Sequence, residues 1–366
     1  MARRGENIYK RKDGRWEGRY KNGFKPDGKT KYSSVYGRSY SEVRSVLIQK
    51  KQDANTGKTR CNHRFCEVVC LWLNSIKNTV KESTYSNYIM KIEKHILPKF
   101  GEICYEKLTA DLLNSFVSDR LAAGLSAKYV SDISVIIKSV CKFACRQYGY
   151  ANKAEFMVLP KQEKRSDKRM FTAQEQDSLN TWFAQNITPG NAGIMLSAAT
   201  GIRIGELCAL KWSDFDLEKS IFIVSKTMQR IKNYEAGGTK VIITLPKSHT
   251  SVREIPIPEF MKSTLQQLKC GSDCFFLTGN RSFIEPRTMQ YRFKSILKKL
   301  NLPQVNFHSL RHMFATRCVS LGADVKTLSE ILGHSSVKIT LDRYVHSSME
   351  RKQSCMKLLS DSFCTI

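Results

Sequence analysis

The chain has 366 residues, sixty of them Lys or Arg against thirty-three Asp or Glu, a formal net charge of +27. Such an excess of one sign is costly in self-repulsion unless the partner is a polyanion, which points to nucleic acid. No run approaches eighteen apolar residues and no N-terminal stretch has a signal-peptide hydrophobic region, so the composition argues against a membrane span or secretion and a cytoplasmic protein is expected.

Twelve cysteines raise the questions of disulfides and metal. In a chain without a secretion signal the thiols are expected to stay reduced. The densest group, Cys61, His63, Cys66 and Cys70, fits no common zinc spacing. Cys66 and Cys70 stand four apart beside Val69 and Leu73, and Cys141 and Cys145 repeat the pattern beside Val140 and Ala144, as small core residues would. No metal and no cofactor is therefore expected.

A length of this order calls for two or three domains. The first 60 residues hold seventeen basic and six acidic side chains, so +11 of the charge lies in a sixth of the chain. Within residues 1–55, Ile8–Tyr9, Trp16–Tyr20 and Tyr32–Tyr36 are β-forming runs separated by Asp13-Gly14 and Pro26-Asp27-Gly28 turns. They predict a three-stranded sheet. A helix follows over Ser41–Lys51, with a Ser N-cap and with Val43, Val46 and Leu47 at helical spacing. Arg11, Lys12, Arg15 and Arg19 are its candidate DNA contacts; the alternative is a solvated basic hairpin with electrostatic affinity alone.

Residues 52–60 read as a polar linker. Over residues 61–152 the pattern is helical throughout: Phe65–Ile76, Thr84–Ile96, Ala110–Ala122 and Ala127–Tyr148 carry apolar residues three and four apart, with breaks at Pro98, Gly101, Gly124 and Gly149. A helical bundle is expected, with Lys91, Lys94 and Lys99 on basic faces. Residues 153–170 are charged and weakly patterned, an interdomain linker whose basic residues, Arg165 among them, are expected to follow a DNA backbone. From 171 to 346 helical patterns (Ala173–Gln185, Ala192–Ala199, Ile204–Leu210) give way to strands at Ile221–Val224, Val241–Leu245 and Val252–Ile257, after which helical patterns resume. No Gly-rich phosphate cradle is present to suggest a nucleotide. The fold class is multidomain and mainly α, with small β-sheets.

Chemistry concentrates between Phe307 and His346. His308 and Arg311 stand three apart and share one helix face, suited to holding a phosphate. After the amphipathic Val325, Leu328, Ile331 and Leu332, Gly333 reads as a helix C-cap that leaves His334 on a turn. Tyr344 follows ten residues later. Upstream, Thr200-Gly201-Ile202-Arg203-Ile204-Gly205-Glu206-Leu207 precedes Leu210 and Trp212.

The order of arginine motif, His-x-x-Arg, Gly-His and Tyr resembles the tyrosine recombinases, the phage and transposon integrases. Leu245–Pro256 is similar to the β-hairpin that carries the family's lysine and offers Lys247. The resemblance implies Tyr344 as nucleophile, Arg203 and Arg311 as bidentate clamps on the phosphate, His308 and His334 as donors or proton carriers, and Lys247 as proton donor to the leaving 5′ oxygen. Glu206, one turn from Arg203, is expected to orient an arginine or a histidine, with a surface ion pair as the alternative. The residue after Arg311, His312, is expected to pack or cap; His63, His95, His249 and His346 are expected to be structural or exposed.

The same resemblance implies an arm-type DNA-binding domain at residues 1–55, a SAM-like core-binding domain at 61–152 and a catalytic domain at 171–346. A tail at 347–366, with a short helix over Met349–Phe363, would dock on its own domain or on a neighbouring subunit. Implied partners are double-stranded DNA at core-type and arm-type sites, further copies of the chain in a tetrameric synapse, an excisionase and a host DNA-bending protein. The implied activity is integration and excision of a mobile element through a 3′-phosphotyrosine and a Holliday junction. Two rivals are weighed against it. A type IB topoisomerase shares the nicking chemistry but needs no second DNA site, and a DNA-binding regulator on an inactive recombinase fold does not require all six catalytic side chains.

Overall fold

A computed structural model describes residues 7–24, 30–56, 63–161, 169, 171–234, 236–245 and 252–344, with positions 349, 353, 356 and 360 beyond them. The chain divides into two compact units, 1–164 and 165–366.

The first unit opens with an antiparallel sheet of β1 (Ile8–Lys10), β2 (Trp16–Phe24) and β3 (Thr30–Gly37), backed by α1 (Tyr40–Thr56). Alternation along β2 sorts its side chains by face. Gly18, opposite Ile8 and Val35, meets the helix at Val43 and Leu47, whereas Glu17 stands between Tyr9 and Tyr36 on the other face. Ile8, Val43 and Leu47 form the buried core, with Trp16, Tyr20, Val35 and Tyr40 packed around it. The helix cap is Ser39, whose Oγ accepts the Glu42 N–H at 3.1 Å, so the helix begins one residue earlier than the predicted Ser41.

A helical array follows: α2 (Phe65–Ile76), α3 (Glu82–Lys91), α4 (Leu97–Phe100), α5 (Ala110–Ala122) and α6 (Ala127–Tyr148). Its core is aromatic, with Phe65, Phe100, Tyr105 and Phe116 fully buried. Pro98, expected as a break, does not end its helix. A π turn at Ile92–Ile96, in which Leu97 N–H donates to Ile92 O, joins α3 to α4 and sets the proline in a first turn, where its missing N–H is not needed. The cysteine pattern also needs correction: Cys141 is buried, but Cys70 and Cys145 are exposed, because each helix turns one member of its pair outward. The predicted linker begins later than residue 153. Ala154 and Met157 are buried in this core, and Asn114 Oδ1 accepts the Val158 N–H at 2.9 Å.

In the second unit, α7 (Ala173–Gln185), α8 (Pro189–Thr200) and α9 (Ile204–Ala209) lead into two small sheets. One joins β4 (Phe215–Asp216), β5 (Ile221–Val224) and β8 (Arg253–Pro256); the other is the hairpin β6 (Thr227–Lys232) with β7 (Thr239–Thr244). The expected hairpin over Leu245–Pro256 is not the pairing found, since β7 pairs with β6 and β8 with β5. Strand β6 escaped prediction because it buries only Met228 and Ile231 among polar neighbours, three apart and out of strand alternation. The unit closes with α10 (Lys262–Leu268), α11 (Pro286–Lys299), α12 (His308–Ser320), α13 (Val325–Leu332) and α14 (Val337–Tyr344). A small separate core of Ala315, Val319, Leu328 and Leu332 receives Tyr344. Of the predicted tail helix, positions 349, 353, 356 and 360 are helical, with Met349 and Met356 exposed; the rest lies outside the described residues.

The N-terminal module and the helical array have separate cores. Leu47→Ala is therefore expected to destabilise the module by about 2–5 kcal/mol. Amide exchange should accelerate in β1–β3 and stay unchanged in α2–α6.

Candidate active site

Arg203 and Glu206 at the start of α9, Arg253 in β8 and Arg311 in α12 reach one place. Glu206 is 4 % exposed. Its Oε1 accepts from Arg203 Nη1 at 2.8 Å, and its Oε2 from Arg253 Nη2 at 2.8 Å and from the Arg203 backbone N–H at 3.1 Å. Burial would raise this carboxyl, but Arg253 and Arg203 outweigh it and hold it below the usual range. Glu206 is thus a buried partner of two guanidinium groups and not a surface ion pair.

The arginines are also tied to carbonyls of distant loops. Arg203 Nη2 donates to Gly333 O at 3.1 Å and Arg253 Nε to Ile331 O at 2.6 Å. Arg311 Nη1 donates to Gly201 O at 2.8 Å and its Nη2 to Leu332 O at 2.7 Å. Gly201 makes this possible. It caps α8 with φ +67°, and a Cβ there would lie 2.7 Å from Phe314 Cδ1 and 2.8 Å from Leu332 Cδ2. Burial, with Arg203 and Arg253 nearby, pulls the Arg311 guanidinium down to about 9, still protonated at neutral pH.

Gly333 ends α13 in the left-handed region as its spacing predicted, and His334 follows on the turn. His334 Nδ1 lies 2.8 Å from Thr340 Oγ1, and its ring lies parallel to that of Tyr344 with centroids 6.4 Å apart. Burial and then the neighbouring arginines, Arg311 first, push His334 down to about 4. Tyr344 is 7 % exposed at the end of α14, and burial, opposed by Arg311 and Arg343, raises its phenol above the ordinary value. His312 Nδ1 lies 2.8 Å from Tyr344 Oη, which overturns the reading of His312 as a packing or capping residue. His308 is exposed on the first turn of α12, and its ring stands nearly perpendicular to that of His312 with centroids 4.7 Å apart.

Of the six catalytic candidates, Arg203, Arg311, His334 and Tyr344 are brought together, and His308 joins them through His312. Lys247, like His249 and His346, lies outside the described residues. Two members were missed by sequence reasoning. Arg253 stands in a strand of ordinary appearance and gave no signal, whereas His312 was discounted on the ground that its neighbour faces the site.

Among the DNA-contact candidates, Arg19 is exposed on β2, and Arg11, Lys12 and Arg15 are exposed in the connection between β1 and β2. Arg11 and Arg19 pair with Glu17 at 3.3 and 3.0 Å, and Arg15 with Asp13 at 2.8 Å. The Arg19 and Arg11 guanidiniums lie 5.4 Å from the Tyr9 ring centroid and 5.5 Å from that of Tyr36. Lys91 is a correction: it is buried, 3.3 Å from Asp132 and over the Tyr129 ring, so it is no part of an exposed basic face. Lys94 is exposed, and Arg165 falls outside the described residues. His63 Nδ1 lies 3.0 Å from Tyr150 Oη, and His95 is buried against Tyr129. None of the described helices is long and apolar enough to cross a membrane.

Convergent guanidiniums around a buried tyrosine on a mixed helical domain define a phosphoryl-transfer site of the tyrosine recombinase class. The chain belongs to the phage integrase family, whose profile matches residues 168–351, and residues 64–119 match the phage integrase N-terminal SAM-like domain. It is thus a tyrosine recombinase, an enzyme that cleaves and rejoins DNA. It is 25 % identical to a XerC-like tyrosine recombinase of Caldanaerobacter subterraneus subsp. tengcongensis, over 92 % of this chain and 93 % of that protein. Its fold is similar to the Tn1549 transposon integrase in complex with a circular intermediate DNA (TM-score 0.65, 22 % identity, 81 % of this chain and 99 % of that one). It is also similar to a lambda integrase tetramer bound to a Holliday junction (TM-score 0.57, 19 % identity, 94 % and 98 %).

Glu206→Gln leaves two guanidiniums without their carboxylate and is expected to cost about 3–5 kcal/mol of stability in urea unfolding. His334 gives a pH dependence of known sign. Its folded value of about 4 lies below the unfolded value of roughly 6.5, so the unfolded chain takes the proton first as pH falls. Its contribution to stability is therefore present above about pH 6.5 and is lost as pH falls toward about 4. NMR of labelled histidine should show no titration of the His334 ring between about pH 8 and pH 5.

Proposed function

We propose that the chain integrates and excises a mobile element by attack of Tyr344 Oη on a DNA phosphodiester. The Oη–P bond forms, the P–O5′ bond breaks, and a 3′-phosphotyrosine conserves the bond energy until a second 5′ hydroxyl reseals the strand. What carries this reading is the convergence of Arg203, Arg311, His334 and Tyr344 from separate segments on one site. A guanidinium has five N–H donors, so the bonds that anchor Arg203 and Arg311 leave others for the non-bridging oxygens. Burial gives the Arg311 donors a low-dielectric setting, in which negative charge developing on phosphorus is stabilised most, while Arg203 is half-exposed. His334, kept neutral, donates a hydrogen bond without adding a fourth cation. Lys247 protonates the leaving 5′ oxygen, and His308 stands at the exposed mouth of the site.

On this reading the exposed sheet face bearing Arg11, Lys12, Arg15 and Arg19 binds arm-type sites, and residues 61–152 with the catalytic domain at 171–346 hold core-type sites. Lys94 and Arg165 contribute phosphate contacts. Four copies assemble in a synapse around a Holliday junction, an excisionase and a host DNA-bending protein set its direction, and the tail at 347–366 links neighbouring subunits. The work takes place in the cytoplasm, where the DNA is. The lambda integrase tetramer on its junction and the Tn1549 integrase on circular-intermediate DNA support the DNA and tetramer assignments.

A nicked attachment-site duplex is expected to trap a covalent protein–DNA adduct that Tyr344→Phe abolishes. Arg203→Ala should bind the same duplex but cleave on the order of a hundredfold or more slower, and wild-type cleavage by it would remove Arg203 from the site. Lys247→Ala should be rescued by a 5′-thiol leaving group, which needs little protonation. Deleting residues 1–60 should spare cleavage of a short core site and abolish arm-site binding. The log–log salt slope should fall by about 0.9 for each phosphate that the shortened chain no longer neutralises, and an unchanged slope would refute the arm assignment.

A further inference from the structure

Arg311 and His312 are neighbours on α12, yet they serve different partners. About 100° of helical rotation separates them. Arg311 turns inward to Gly201 and Leu332, and His312 turns toward the end of α14, where its Nδ1 meets Tyr344 Oη at 2.8 Å. The two rings lie 5.6 Å apart. The other imidazoles nearby are placed differently: Nδ1 of His334 is engaged by Thr340 Oγ1 beside a parallel tyrosine ring, and the His308 ring stands nearly perpendicular to that of His312. Among the described residues, the charged and titratable groups around the pair include His308 on α12, His334 before α14, Arg343 on α14, and Arg203 and Arg311.

We propose that His312 is a catalytic residue, the acceptor of the Tyr344 phenolic proton during strand cleavage and its donor during religation. The inference rests on the reading of Tyr344 as nucleophile and names the base that such a nucleophile requires. A buried phenol, raised above its usual value, is almost wholly protonated at neutral pH, so the Oη–H bond must break as the Oη–P bond forms. The proton passes to His312 Nδ1. The P–O5′ bond breaks and the 5′ oxygen takes its proton from Lys247. In religation the 5′ hydroxyl gives its proton back to the neutral Lys247 amine as it attacks phosphorus, and Oη leaves with the proton returned by the His312 imidazolium. No further reactant enters. The imidazolium forms while negative charge grows on the phosphoryl oxygens, so the two charges offset each other.

The experiment is single-turnover adduct formation on a nicked attachment-site duplex, followed against pH in the full-length chain. His312→Asn keeps a side chain able to hydrogen-bond the phenol but unable to take its proton. It is expected to bind the duplex as wild type does and to cleave about a hundredfold slower, a typical loss for a general base. It should also lose the ionisation on the acid side of the rate profile, and regain rate when a more acidic fluorinated tyrosine occupies position 344. A His312→Asn chain with the wild-type rate overturns the assignment. So does a slowed chain that keeps the wild-type pH profile and gains nothing from the fluorinated phenol, since that marks a packing role. The wild-type chain with fluorotyrosine at 344 provides a test that does not depend on the variant folding. An acid-side ionisation that stays in place is the one the proposal requires, since its source is then not the phenol, and one that moves with the phenol belongs to Tyr344 and overturns the proposal. Absence of any adduct from wild type on a library of nicked duplexes overturns the nucleophile reading itself and His312 with it, a failure distinct from that of His312 alone.

Discussion

Three guanidinium groups gather near the single buried carboxylate of Glu206 in the second unit: half-exposed Arg203 and buried Arg253 bond it, and buried Arg311 lies close by. Like charges so close repel strongly where water is scarce. The fold offsets this with Glu206 and with the carbonyls of Gly201, Ile331, Leu332 and Gly333. The same bonds hold the loop after α8, the strand β8 and the end of α13 in fixed relation. One charge network therefore sets both the geometry of the domain and the excess of positive charge that suits a phosphodiester.

The tyrosine depends on this network indirectly. Helix α14 is eight residues long, too short to persist alone, and tertiary contacts hold it. Tyr344 is buried against α12 and α13 with its hydroxyl on His312, and buried Thr340 meets His334. A side chain fixed in this manner is oriented before any DNA arrives, and for the nucleophile proposed above that lowers the entropic part of the barrier. Burial also keeps the phenol protonated.

On the N-terminal sheet the ordering principle recurs on an exposed face. Glu17, 3 % exposed near the start of β2, accepts from Ser34 and Arg19, which hold its carboxyl below the usual range, and it also pairs with Arg11. The arginines are thereby held against Tyr9 and Tyr36 instead of sweeping through solvent. Guanidiniums held in this way lose less entropy on binding than free ones do.

Local pattern settled much of the molecule. The helices Phe65–Ile76, Ala110–Ala122, Ala127–Tyr148 and Ala173–Gln185 and the strand Ile221–Val224 fall where their periodicities place them, because each buries one face against a neighbour and carries its own cap or turn. Arg203, Glu206, Arg311, His334 and Tyr344 were legible as a constellation, since residue type and order carry the chemistry of a phosphate site. The tertiary structure decided the rest. The pairing of Thr227–Lys232 with Thr239–Thr244 depends on a partner strand that the weak alternation of β6 does not announce. The inward turn of Lys91 depends on Asp132, forty-one residues away. Arg253 and His312 entered the site through contacts 47 and 32 residues distant along the chain. Side-chain periodicity tells which face of an element is buried, but what that face meets is fixed only when the elements pack.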